Sequence, residues 1–226
     1  MKGLLIKDIK IIISQKKFFI MAIFLAAVFA WTTEDVTFSA SYIVLLLSML
    51  TLTTLSYDEA NGGMLFLLTL PATRKTYVNS KYTFALLNLV FASVFAFALC
   101  YVFAMIKGTA LPLDDVISSI MGIMVAMGIM LSVTIPLELK YGAEKGRIAM
   151  LASIAVIVVL GIGVYKLLTE VIKVDVEGIL LKLLERLPAV GNGLEILIVG
   201  VLLVILLLIF FVSYCVSGKI IKKKEF

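Results

Sequence analysis

The chain has 226 residues, of which 62% are hydrophobic and 15% charged, with a mean hydropathy of +1.16. A soluble globular domain carries ~45–50% apolar residues, so these proportions exclude an ordinary water-soluble fold and indicate an all-α, polytopic membrane protein, a single transmembrane unit over residues 1–226. The net charge of +5 lies mostly in segments flanking apolar runs, a pattern of membrane topology and not of nucleic-acid binding, and the lack of histidine removes His-based zinc sites and Ser-His or Cys-His dyads.

Residues 1–17 read as an amphipathic helix lying in the membrane interface. Leu5, Ile6, Ile9, Ile12 and Ile13 share one side, and Lys7, Asp8, Lys10, Ser14 and Gln15 the other, so the isoleucines would dip toward acyl chains while the lysines meet anionic lipid headgroups. A signal peptide is the competing reading, with a basic start, an apolar run from Phe18 to Trp31 and small residues near Ala30; its cleavage would remove the first span and invert the topology.

Six transmembrane helices are expected, at Phe18–Thr33, Phe38–Tyr57, Tyr82–Ile106, Val116–Leu137, Ile148–Leu168 and Leu194–Ser217. The first is short for a bilayer core of ~30 Å. With both termini cytoplasmic, the inner segments hold fifteen of the 20 Lys and Arg residues and the outer segments five, so the positive-inside rule favours that orientation. The outer segment 169–193 carries Val176, Ile179, Leu180, Leu183 and Leu187 on one helical face after a candidate N-cap at Asp175, and reads as an external amphipathic helix. Cys100 and Cys215 fall near opposite ends of their spans, which argues against a disulfide.

Chemistry of its own is hard to find in this chain. There is no G-x-x-x-x-G-K-[ST] phosphate loop, so ATP and Mg would be bound by a partner subunit and no cofactor here; no catalytic residue and no metal ligand set is expected. Asp58 and Glu59 read as a solvated span end, and no span carries an ionisable residue near its middle, which counts against a proton antiporter. In the fourth span Met121, Met124, Met127 and Met130 wind across about half the helix circumference, opposite Ser118, Gly122 and Ala126. The methionines either fill gaps in a helix bundle or line a path for apolar cargo, while the small side could pack on another helix.

Two inner loops stand out. Residues 58–81 run through an apolar stretch, Met64 to Leu70, to a corner at Pro71, after which Thr73 is placed to cap a helix starting at Arg74-Lys75. The second loop runs from Pro136 to Arg147, with Gly142 and Gly146 breaking the chain between charged residues. Leu65, Phe66, Leu67 and Leu70 are too apolar for a solvated loop, Pro71 stiffens the corner, and Arg74 and Lys75 supply charge for a partner or for lipid headgroups.

The motifs Tyr57-Asp58-Glu59, Thr69-Leu70-Pro71-Ala72-Thr73-Arg74-Lys75, Ser80-Lys81-Tyr82 and Lys140-Tyr141-Gly142-Ala143-Glu144-Lys145-Gly146-Arg147 resemble the ABC-2 type permease subunits of small bacterial exporters. The branch that looks most similar includes permeases of phenol-soluble-modulin exporters. That resemblance implies a multi-pass permease of the bacterial plasma membrane with six helices. It also implies a second permease copy or paralogue, a separate ABC ATPase subunit, and a coupling helix within residues 58–75, leaving Lys140, Gly142, Glu144, Lys145 and Arg147 of the second loop as further contacts. Amphipathic or hydrophobic peptides would be the cargo, moved outward by alternating access, since uncharged spans offer no selection for ions. A lipid or hydrophobic drug, or a non-transporting scaffold or immunity protein, are the alternatives, and a membrane enzyme is disfavoured for want of convergent carboxylates.

Overall fold

A computed structural model describes residues 2–32, 36–59, 73–108, 113–142 and 191–223, together with Lys145, Ile148 and Leu151. These residues form six α-helices: α1 Lys2–Ser14, α2 Lys16–Thr32, α3 Val36–Glu59, α4 Arg74–Lys107, α5 Leu113–Tyr141 and α6 Gly191–Lys223. Among the described residues, four segments are long and apolar enough to cross a membrane: Thr37–Glu59, Arg74–Lys107, Leu113–Tyr141 and Leu203–Lys222. α1 and α2 meet at a bend of 60° at Gln15 and together make a fifth candidate. The predicted fifth span, 148–168, the external helix, 169–193, and the apolar part of the first inner loop fall largely or wholly outside the described residues.

The helices begin and end where local chemistry allows. Thr73 caps α4 as the sequence suggests, its Oγ1 accepting from the Thr76 N–H at 3.2 Å. Gly108 ends the same helix in the left-handed region at φ 67°, its N–H returning to the Ala104 and Met105 carbonyls. α5 opens with Asp114 and Asp115 and closes with Lys140, each sign matched to its end of the helix dipole.

α5 also runs straight through Pro136, where the sequence reading placed the start of a loop. Proline lacks the N–H that would bond the carbonyl four residues back, at Ser132. That carbonyl accepts from the Ser213 hydroxyl of α6 at 2.5 Å instead, so the helix loses no buried partner by continuing.

The described bundle has a fixed order. α3 packs against both α4 and α5, α2 covers α3 on one flank, and α6 covers α5 and α4 on the other. Small residues permit the close approaches: Ala22, Ala26 and Ala30 of α2 and Ala92, Ala96, Cys100 and Ala104 of α4 are all buried at four-residue spacing. Phe29 adds edge-to-face contacts to Phe38 and Tyr42 at 5.3 and 5.1 Å. A second core joins Tyr77, Leu89, Leu131, Ile135, Leu139 and Phe210 between α4, α5 and α6. Outside, Ile20, Phe24, Trp31, Val94, Met105 and Phe211 are exposed, an apolar belt that suits lipid and not water.

Candidate functional site: a charged junction at one end of the bundle

Five chain segments converge at one end of this bundle. α1 lies across it, α3 ends there at Glu59, α4 begins there at Arg74, and α5 and α6 end there at Tyr141 and Lys223. The contacts fix the directions. Gly128 faces Leu206 and Ser132 faces Ser213, so α5 and α6 run parallel; Asp58 meets Tyr77 while Leu47 meets Asn88, so α3 and α4 run antiparallel.

At the centre stands Lys81 of α4, 2% exposed. Its Nζ lies 2.8 Å from Asp8 Oδ1 of α1 and 2.7 Å from Asp58 Oδ2 of α3, with the Thr54 hydroxyl and carbonyl at 3.3 and 3.4 Å. Lys7 pairs with Asp58 Oδ1 and lies 3.3 Å from Asp8 Oδ1. The Tyr77 hydroxyl donates to Asp58 Oδ2 at 3.1 Å, and its ring lies 5.7 Å from the Lys81 Nζ. Two lysines thus balance two aspartates in a space that is 0% exposed at Asp8 and 4% at Asp58. Asp8 Oδ2 alone of the four carboxylate oxygens finds no hydrogen-bond partner among the described residues.

Buried ion pairs add little net stability over apolar packing, because desolvation consumes most of the attraction, but breaking one strands a charge. Asp58 marks the chain's departure into segment 60–72 and Lys81 sits about two turns beyond its return, so one charge cluster holds both roots of that segment and ties them to α1.

Further polar contacts extend the junction sideways. The Tyr82 hydroxyl bonds Ser213 at 2.5 Å and Ser217 at 2.8 Å on α6, and Asn88 donates to the Leu47 carbonyl and Thr51 hydroxyl on α3 at 2.8 and 3.0 Å. Arg74 donates to the Ile221 and Lys222 carbonyls at 3.1 and 3.0 Å, satisfying the end of α6. Gly142, at φ 86°, ends α5 with its N–H on the Glu138 carbonyl; a Cβ there would sit 3.3 Å from the Glu59 carboxylate, so the root of the second loop abuts the root of the first.

These positions revise two readings. Asp58 is not a solvated span end, because α1 closes over it and Lys81 and Lys7 compensate its charge. Asp8 does not point to headgroups with Lys10 but turns inward to Lys81, while Ile6, Ile9 and Ile13 remain exposed as expected of an interfacial helix.

Of the expected loop contacts, Arg74 serves α6, Lys75 is exposed, Lys140 stacks its Nζ 4.8 Å from the Tyr141 ring, and Lys145 is exposed. Leu65, Phe66, Leu67, Leu70, Pro71, Glu144 and Arg147 lie outside the described residues. Met127 is buried in the core with Met124 and Met130 half-buried against it, and Met121 is half-buried. The small side of α5 faces outward: Ser118, Gly122 and Ala126 are exposed, and a Cβ on Gly122 would meet nothing within 4 Å.

Lys7, Asp8, Tyr77 and Lys81 were not singled out from the sequence as site residues. The available signal was register. Tyr77, Lys81, Asn88 and Ala92 recur on one face of α4, so a lysine and an asparagine fall on a stripe otherwise built for burial.

No curated protein and no solved structure gave a match to the chain. The sequence model of a family described as ABC-2 family transporter protein matches residues 3–222, which includes the whole junction. The chain therefore belongs to the ABC-2 family, as a multi-pass membrane permease of an ABC transporter that is not itself the catalytic subunit.

Proposed function

We propose that the chain is the permease of an ABC exporter that moves amphipathic or hydrophobic peptides outward by alternating access, powered by a separate ATPase subunit and paired with a second permease copy or a paralogue. The observation that carries the reading is the junction: a single charge cluster holds both roots of segment 58–81 and α1, and the root of the second loop, at Gly142, abuts the root of the first at Glu59. Force arriving at either loop from a partner would then reach α3, α4, α5 and α1 together, which is what alternating access asks of a permease without a nucleotide site. The uncharged, lipid-facing helices support a hydrophobic cargo, with a lipid or drug as the alternative.

The junction face is the cytoplasmic one in this reading, supported by the excess of basic residues in the segments that meet there. Since α5 and α6 run parallel to the same end, the six-span topology needs one crossing between them, and 148–168 is the stretch assigned to it.

The test is co-purification of the tagged chain with an ABC ATPase encoded beside it, followed by reconstitution in vesicles with an amphipathic helical peptide. ATP-dependent peptide movement is expected. Pro71→Gly should keep the complex assembled and uncouple hydrolysis from export, whereas Lys75→Glu should weaken assembly. Lys75 is the cleaner charge reversal, because Arg74→Glu would also uncap α6. Movement of a phospholipid but not of peptide would favour the alternative cargo, and a chain that binds no ATPase would be a scaffold.

A further inference from the structure

α1 carries Lys2, Lys7 and Lys10 and a single acid, Asp8. Because Asp8 is buried against Lys81, the surface that α1 turns away from the bundle is cationic with no acidic counterpart. Gly3, Lys7, Lys10 and Ser14 follow one another along one side of the helix and, with Ile6 and Ile11, line a shallow open groove. A Cβ on Gly3 would meet nothing within 4 Å, so the groove is open at that end. Exposed Ile6, Ile9 and Ile13 lie alongside. Two ammonium groups next to apolar side chains complement a phosphate carried on acyl chains.

We propose that this groove binds the headgroup of an anionic phospholipid, and that Lys7 is shared between that headgroup and Asp58. Lys7 is the accessible charge of the junction, its side chain 29% exposed against 2% for Lys81 and 4% for Asp58. Drawing Lys7 outward leaves Asp58 Oδ2 with Lys81 at 2.7 Å and the Tyr77 hydroxyl at 3.1 Å but takes the partner from Oδ1, so the exchange has a cost that the headgroup's charge must offset. The orphaned Oδ2 of Asp8 makes the α1 side the less fully bonded part of the cluster. Anionic lipid at the groove therefore loosens the tie between α1 and the root of segment 58–81. The inference rests on the permease reading for its consequence, but lipid binding is measured on this chain alone.

The experiment is native mass spectrometry of the purified, delipidated full-length chain offered equal amounts of phosphatidylglycerol and phosphatidylcholine. Phosphatidylglycerol should be retained in preference. Lys10→Gln should weaken that retention about fivefold, the factor for ~1 kcal/mol per basic residue near an anionic surface, and Gly3→Leu, which fills the groove, should weaken it too. Lys2→Gln, outside the groove, should not. Linkage requires Asp58→Asn, which frees Lys7, to strengthen retention.

Equal retention of the two lipids, or equal losses for Lys2→Gln and Lys10→Gln, would overturn the site. Unchanged retention in Asp58→Asn would overturn the sharing of Lys7. Displacement of the lipid by inorganic phosphate alone would assign the groove to a soluble anion. Unaltered lipid retention in Lys10→Gln with loss of ATPase co-purification would assign it to the partner protein. None of these results touches the permease reading, which stands or falls on ATPase co-purification and export.

Discussion

The two ends of the bundle are built by different means. At the α1 end, Lys7, Asp8, Asp58 and Lys81 are buried together and Tyr82, Ser213 and Ser217 bond across helices. Toward the other end, α2, α3 and α4 are joined by Ala26, Ala40, Ala92, Ala96 and Cys100, with aromatic edges at Phe29, Phe38 and Tyr42. Close packing of small residues is tolerant of direction and strong in dispersion. Buried charge is costly but specific, because each displaced partner leaves a poorly compensated ion. On the proposed alternating-access reading, the specific contacts stand where the loops emerge.

The largest effect should come from breaking the charge balance. Lys81→Met leaves Asp8 and Asp58 buried opposite Lys7 alone, and should cost ~3–5 kcal/mol, seen as a steep fall in the thermal unfolding midpoint in detergent. At the packed end, Ala96→Leu inserts volume at a fully buried position and should cost ~1–3 kcal/mol by the same assay, without altering contacts of α1. Ser213→Ala should cost ~1–2 kcal/mol, because the Ser132 carbonyl left open by Pro136 loses its donor; hydrogen exchange should rise around Pro136 and not near Ala96. The smallest change is Thr73→Ala, worth ~1 kcal/mol, which should fray the first turn of α4 as read by exchange at the Thr76 amide.

Much of the architecture was visible in the sequence, for physical reasons that also mark the limit. Apolar runs longer than a bilayer is thick leave a helix as the economical structure, so α3, α4, α5 and α6 could be placed, as could the amphipathic α1 and the cap at Thr73. Helix ends were harder. The start of α4 at Arg74 was legible from its cap, but α5 persists past Pro136 because a serine on α6, 81 residues from the freed Ser132 carbonyl, serves it. That partner is distant in sequence, which local pattern does not contain. The same holds for the junction. Asp8 and Lys81 are 73 residues apart, and nothing near either announces the other.

A double-mutant cycle on Asp8→Asn and Lys81→Met, read as unfolding midpoints of the full chain in one lipid environment, asks whether charge pairing fastens α1 to the loop roots. If it does, the two losses will be far from additive, with the double variant recovering ~1–3 kcal/mol of their sum, since each single variant strands what the other removes. Additivity within ~0.5 kcal/mol would mean that Asp8 and Lys81 act independently, and that α1 is held by its apolar contacts instead.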